Sequence, residues 1–234
     1  PVDHAKACAF QHQQRFGAQR YMLDNWSPIS SPTCLVSRRT ARIAIVVPAW
    51  NALHFLSKTL PSMKSAAAKH GEAVIVVVDN GSTDGTSDFL RREHPDVIAV
   101  RTHRQSIGAA RNIGARAVES SIIAFVDADC LMAEDHLIQA ERLLNDPEIN
   151  IAGNSYDLPD EPGWVERVWH SLHKRPVDGV TRLLPAGNFV IRREVFDALG
   201  GFNETLVTGE DAEFCHRLSR AGHYPFASRS IRVA

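Results

Sequence analysis

Four apolar runs of strand length punctuate the first half of the chain: "IAIVV" (43–47), "AVIVVV" (73–78), "VIAV" (97–100) and "SIIAFV" (121–126). Each is near-continuous and rich in β-branched residues, the pattern of a strand buried on both faces rather than the alternation of a half-exposed one. Between them apolar positions recur at helical spacing. One such segment covers 52–69, with Leu53, Leu56, Leu60 and Met63; a second covers 84–93, behind a Ser/Thr/Asp cap region; a third is "IGAARNIGARAVE" at 107–119. Strand alternating with helix predicts an α/β fold, a mostly parallel central sheet wound on both faces by right-handed crossovers. Further on, Thr208 reads as the N-cap of a helix carrying Ala212, Cys215, Leu218 and Ala221 at helical spacing. Residues 1–41 follow neither period. They are polar, interrupted by Pro28 and Pro32, and read as an N-terminal arm on a single domain that runs from 42 to 234.

Composition narrows the function classes. The 234 residues suit one α/β domain with a substantial core. Lys and Arg number 26 against 27 Asp and Glu, a formal net charge of −1, so the electrostatic footprint of a nucleic-acid binder is missing. The four cysteines, Cys8, Cys34, Cys130 and Cys215, form no CxxC pair and show no metal-ligand spacing, which points to reduced thiols. No apolar run approaches the roughly 18 residues of a membrane span. The first 40 residues carry His, Lys, Arg and Gln where a signal peptide has an apolar centre. The expectation is a cytoplasmic chain without a transmembrane segment, able to touch the inner face of a membrane.

Candidate chemistry lies where the strands end, because open parallel sheets bind ligands beyond the carboxyl ends of their strands. The first strand is followed by Pro48, Ala49, Trp50 and Asn51, the second by Asp79, Asn80, Gly81 and Ser82, and the fourth by Asp127, Ala128 and Asp129. Two carboxylates one residue apart repel unless something separates or neutralises them. Mg²⁺ or Mn²⁺ carrying a diphosphate suits such a pair, since these ions take one or two protein carboxylates and complete their shells with water and phosphate oxygens. Taken alone, Asp127 and Asp129 also read as a turn, and "VVVDNGSTDGT" as a loop leading into a helix cap. The dinucleotide fingerprint GxGxxG and the P-loop are both missing. A haloacid-dehalogenase-type phosphatase would place a hydroxyl residue where Leu131 stands.

In order and spacing, "IAIVVPAWN", "VIVVVDNGSTDGT", "GAARNIGARA", "IIAFVDADC", "GNFVIRREVFDALGGF" and "TGEDAEFCHRLSRAG" resemble family 2 of the inverting nucleotide-sugar glycosyltransferases, which have the Rossmann-like GT-A fold. The resemblance covers residues 42–228. It implies that Pro48, Ala49, Trp50 and Asn51 line the base and ribose pocket, with the Trp ring as a stacking surface. Asp79 and Asn80 would meet the base. Many members carry a second Asp where Asn80 stands; the amide oxygen can still accept from a uracil or thymine imide, so a UDP or dTDP sugar is the expected donor. Arg111 and Asn112 would face the nucleotide, although a solvated helix face is the competing reading. Asp127 and Ala128 would approach the ribose, Asp127 the metal as well, and Asp129 would be the metal ligand for Mn²⁺ or Mg²⁺. Asp211 matches the catalytic base, with Glu210 beside it positioning the site or touching the acceptor; outside the family context the pair would only complement a helix dipole.

The acceptor, a hydroxyl of a sugar, glycan or lipid-linked molecule, is expected in residues 155–187, where Trp164, Trp169, His170 and His173 are candidates without assigned roles. The family places a further metal-binding His shortly beyond "SIRVA", past the last residue here. Two other classes stay open. A non-catalytic nucleotide-sugar or glycan-binding module would keep the fold, and a nucleotidylyltransferase would share the sheet but needs a Gly- and Arg-rich loop with a Lys that "VPAWNALHF" lacks.

Overall fold

A computed structural model describes residues 40–154, 162–172 and 178–234. The arm expected for 1–41 lies outside these residues, except that Thr40 and Ala41 already belong to the first strand. The elements run in the order β1 (Thr40–Ala49), α1 (Leu53–His70), β2 (Ala73–Asn80), α2 (Thr86–Glu93), β3 (Ile98–Thr102), α3 (Ile107–Arg116), β4 (Glu119–Val126), α4 (His136–Leu144), β5 (Ile151–Gly153), α5 (Trp164–Leu172), β6 (Gly179–Val180), β7 (Asn188–Arg192), α6 (Arg193–Ala198), α7 (Glu210–Arg220) and β8 (Phe226–Ala227).

The eight strands among the described residues form one sheet in the order β3-β2-β1-β4-β7-β5-β8-β6. From β3 to β4 every pair is parallel, as the alternation of strand and helix predicts. The other half is mixed. β7 runs antiparallel to both β4 and β5, β8 is parallel to β5, and β6 is antiparallel to β8. The sheet is therefore wholly parallel in its first half and mixed in its second.

Apolar residues leave both faces of the strands, and each face acquires its own core. Ile43, Ile45 and Val47 of β1 pack with Leu56, Leu60 and Met63 of α1 and Leu137 of α4. Ala44 and Val46 point to the other side, where Phe125, Phe189, Phe196, Phe202 and Phe214 cluster with α3, α6 and α7. Helix α3 comes unusually near the sheet because Gly114 faces it: a Cβ there would meet Val46 Cγ1 at 2.4 Å. Among the described residues, no helix is long and apolar enough to cross a membrane. Cys130 and Cys215 are buried free thiols, whereas Cys8 and Cys34 lie outside the described residues.

Candidate functional site

The strand exits meet at one edge of the sheet, and the loops there are tied to one another. Ala49 stands level with Asp79, and Asn80 with Thr102. Asn51 adopts a left-handed φ of 48°, which Asn tolerates better than most residues. Its main-chain N–H donates to Ser82 Oγ at 2.9 Å, and its Oδ1 accepts from Thr83 N at 2.8 Å. The first free N–H groups of α1 are satisfied from the same segment: Ala52 N donates to Thr86 Oγ1, and Leu53 N to Asp84 Oδ2. Much of "DNGSTDGT" is thus a cap for α1 supplied by the neighbouring loop, and Asn51 is held as part of that cap.

Against this framework opens a cavity of about 600 Å³ lined by Pro48, Ala49, Trp50, Asn80, the run Arg104–Ile107 and the run Thr205–Val207. Four residues expected to bind a nucleotide are therefore gathered here. Asp79 is not on the lining. It is buried, and its carboxylate accepts from Ser82 N and from Ser87 Oγ. Asn80 is engaged as well: its Nδ2 donates to Gln105 O at 3.0 Å while its Oδ1 accepts from Gln105 N at 2.9 Å. A carboxylate could not make this two-way pair, which gives the Asn a local structural reason.

Arg104, Gln105, Ser106 and Ile107 were not singled out in the sequence. They follow β3, whose exit opens on the same edge as those of β1, β2 and β4, and that position was the available signal. Thr205, Leu206 and Val207 precede α7 and carry no motif of their own.

The carboxylates form the second part of the site. β4 delivers Asp127 to the edge, and the turn after it is pinned by Thr59 Oγ1, which donates to Ala128 O at 2.7 Å. Helix α7 begins at Glu210 after Gly209, whose φ of 77° serves the chain reversal; Gly209 is the N-cap position, and Thr208 does not cap the helix. The buried face of α7 is Glu210, Phe214, Cys215 and Leu218, so the predicted face through Ala212 and Ala221 is incorrect: both are exposed. Phe214 belongs to the aromatic cluster, and this turns Glu210 inward. Asp211 is half-buried at the first turn, its Oδ1 accepting from Ala212 N at 2.7 Å.

Arg111 joins the two carboxylate elements. Its Nη2 lies 2.6 Å from Asp127 Oδ1 and its Nη1 2.6 Å from Glu210 Oε1. With 2 % of its side chain exposed, Arg111 is not on a solvated helix face. Asn112 is not on one either. Its Nδ2 donates to Phe202 O and Glu204 Oε1, and its Oδ1 accepts from Phe202 N, so it clamps the chain leading to α7.

The opposition of the two acids in "DAD" is resolved by this arrangement. Asp127 is paired through Oδ1 with Arg111, a cation it shares with Glu210, and no hydrogen bond engages its second oxygen among the described residues. Asp129 is exposed, and among the described residues its side chain meets only the Cys130 thiol, at 3.8 Å. Burial, with the Asp127 and Asp129 carboxylates nearby, pushes the Cys130 thiol far up. Among the described residues no group of three or more His, Cys, Asp or Glu could hold a metal. Two carboxylates with open oxygens still fit Mn²⁺ or Mg²⁺, provided the rest of the shell comes from phosphate and water.

The C-terminal segment runs beside this turn. Leu131 N donates to Ala234 O at 2.6 Å, and Ala234 N to Leu131 O at 3.0 Å. On the side expected to take an acceptor, Trp164 at the start of α5 is 73 % exposed. His173 lies outside the described residues, as do the side chains of Trp169 and His170.

This architecture is shared with solved glycosyltransferases of the GT-A fold. A mannosyltransferase from Pyrobaculum calidifontis, in complex with GDP-Man and Mn²⁺, superposes with a TM-score of 0.67 at 23 % identity, over 83 % of this chain and 56 % of that one. Residues 1–349 of S. aureus TarS, in complex with UDP-GlcNAc, superpose with a TM-score of 0.63 at 17 % identity, over 80 % of this chain and 56 % of that one. Residues 44–200 match the model of glycosyl transferase family 2, and the chain belongs to that family. Relatives include the glycosyltransferase AglE of Haloferax volcanii, 23 % identical over 77 % of this chain and 62 % of that protein. The pre-mycofactocin glycosyltransferase of Mycobacterium tuberculosis is 28 % identical over 77 % of this chain and 39 % of that protein. The chain thus spans less than two thirds of the length of either relative.

Proposed function

We propose that this chain transfers a sugar, with inversion, from a nucleoside diphosphate sugar to a hydroxyl of a sugar, glycan or lipid-linked acceptor. The observation that carries the proposal is the joining of the "DAD" turn and the acidic first turn of α7 by one buried guanidinium, beside a cavity lined by Pro48, Ala49, Trp50 and Asn80. The base and ribose of the donor belong in that cavity, with Trp50 as the stacking surface. Uracil or thymine is favoured, because the second lone pair of Asn80 Oδ1 can accept from an imide N–H. Asp79 and Asn51 support the pocket from behind, through the bonds that tie its loops together.

Asp129 and Asp127 would hold Mn²⁺ or Mg²⁺ together with the diphosphate, and the cation would stabilise the charge that develops on the leaving group. Ala128 spaces the two acids and keeps the turn narrow. Asp211 accepts the proton of the acceptor hydroxyl as that oxygen attacks the anomeric carbon. A carboxylate suits this step because bond breaking runs ahead of attack and only modest proton acceptance is needed.

A panel of nucleoside diphosphate sugars, assayed for nucleotide release and product stereochemistry with and without Mn²⁺, tests the proposal. The expected result is metal-dependent transfer from a UDP or dTDP sugar to the opposite anomer. Nucleotide binding without turnover of any donor would identify a non-catalytic binding module, and preference for GDP sugars would overturn the assignment of the base.

A further inference from the structure

We infer that Arg111 is a positioning residue that fixes the base-bearing turn of α7 against the "DAD" turn, and not a contact to the nucleotide. The inference rests on the function proposed above and goes beyond it by giving a role to a residue that touches neither donor nor acceptor.

The geometry leaves Arg111 little freedom to do anything else. Its side chain is 2 % exposed, with Asp127 at 28 % and Glu210 at 9 %. The ring of Phe202 lies 5.7 Å from its guanidinium carbon. Each terminal nitrogen serves a different carboxylate at 2.6 Å, and the inner Nε has no hydrogen-bond partner. A buried charge is tolerated when it is paired, and a planar fork with two separated nitrogens can pair with two carboxylates on different elements. A lysine ammonium is a single point charge and cannot span both in the same way.

The consequence concerns spacing. Asp129 lies two residues after one partner of Arg111, and Asp211 lies immediately after the other. The guanidinium therefore sets the separation of the proposed metal ligand and the proposed base. It also pairs with Glu210, and with Glu213 paired to Arg217, Asp211 is the acid of the first turn left without a cation partner among the described residues. Losing the bridge would let the two turns relax independently under the repulsion of their carboxylates. Reacting groups misplaced by about 1 Å can cost on the order of 100-fold in rate while binding survives.

The test compares the wild type with Arg111→Lys, Glu210→Gln and the double variant, measuring thermal stability, affinity for the nucleoside diphosphate with Mn²⁺, and the KM and kcat of transfer. Arg111→Lys is expected to lower kcat by about 100-fold while donor KM and nucleotide affinity stay within about threefold. Glu210→Gln, which keeps the shape and a hydrogen-bond acceptor, approaches the same bridge from its other end and should lower kcat in the same way. The double variant should be no slower than the slower single one, because residues of one bridge do not add. Three results would overturn the inference: a rise in KM with kcat retained, which marks a nucleotide contact; losses that follow the folded fraction alone, which mark a structural role; or losses that multiply in the double variant. A wild-type protein that turns over no donor would remove the proposed function and this inference together, whereas an active wild type with any of those three results removes only the inference.

Discussion

The guanidinium of Arg104 lies over the indole of Trp50, 3.4 Å from the ring centroid. One face of this half-exposed ring is thus covered by a cation, and a base that stacks on Trp50 must use the opposite face or displace Arg104. Stacking of a base on an aromatic side chain contributes about 1–3 kcal/mol by alanine substitution. Trp50→Ala is therefore expected to weaken UDP binding by about 5-fold to 160-fold in calorimetric titration. Unchanged affinity would show that the base sits elsewhere along the cavity.

Gly114 makes a prediction about stability alone. A Cβ at this position would stand 2.4 Å from Val46 Cγ1 and 3.0 Å from Val78 Cγ2, both fully buried in the sheet. Neither valine has room to retreat, since each packs in the core between the strands and α3. Gly114→Ala should gain helix propensity yet lose about 1–3 kcal/mol through overpacking. A urea unfolding midpoint at or above that of the wild type would contradict the close approach of α3 to the sheet.

These two positions show what the sequence made legible. The strands β1, β2 and β4 and their exits could be read because continuous β-branched runs leave little choice of structure. The exit of β3 carries no such signal: "RTHRQS" has no acid pair and no glycine signature, although topology puts it on the same edge. The mixed half of the sheet was not legible because β5, β6 and β8 have 3, 2 and 2 residues, too short to display a period. The face of α7 departs from the alanine spacing for a different reason. Alanines at helical spacing suggested a buried stripe, but Phe214 buries far more apolar surface and set the rotation of the helix. The role of Arg111 depends on partners at positions 127 and 210, brought together by folding, and no local pattern reports such a pairing.

His136 gives a dependence on pH. It is fully buried, its Nε2 lies 2.9 Å from Asn188 Oδ1, and its Nδ1 has no partner. Burial lowers its pKa from 6.5 to about 4. The unfolded chain therefore takes up a proton below pH 6.5 that the folded chain refuses until about pH 4. Stability contributed by the neutral ring is fully present above pH 6.5 and falls as pH drops through this window, by up to roughly 3 kcal/mol. His136→Gln can still donate to Asn188 and does not titrate, so its unfolding free energy should vary less between pH 7 and pH 4. Parallel curves for the two proteins would show that another group carries the acid sensitivity.

The decisive comparison for the chemistry is between Asp211→Asn and Asp129→Asn. Asp211→Asn keeps the size of the side chain and an oxygen able to accept from Ala212 N, the bond that Asp211 Oδ1 makes at 2.7 Å. What it removes is the proton acceptor, and loss of general-base catalysis costs about 10²–10⁴ in rate. Binding of the Mn²⁺ nucleotide should barely change, because Asp211 is not on the lining of the cavity. Asp129→Asn removes a charge from an exposed carboxylate whose side-chain contact is the weak one to the Cys130 thiol, so the fold should hold. Binding and transfer should fall together, since leaving-group stabilisation and nucleotide affinity would share one cation. The two variants thus separate along different axes: kcat alone for Asp211, affinity and kcat for Asp129. If Asp211→Asn transfers at a near-normal rate, the acid at the start of α7 complements the helix dipole and the base lies elsewhere. If Asp129→Asn binds nucleotide as tightly as the wild type with and without Mn²⁺, the "DAD" turn holds no cation, and the bridge from Arg111 to Asp127 is a structural ion pair.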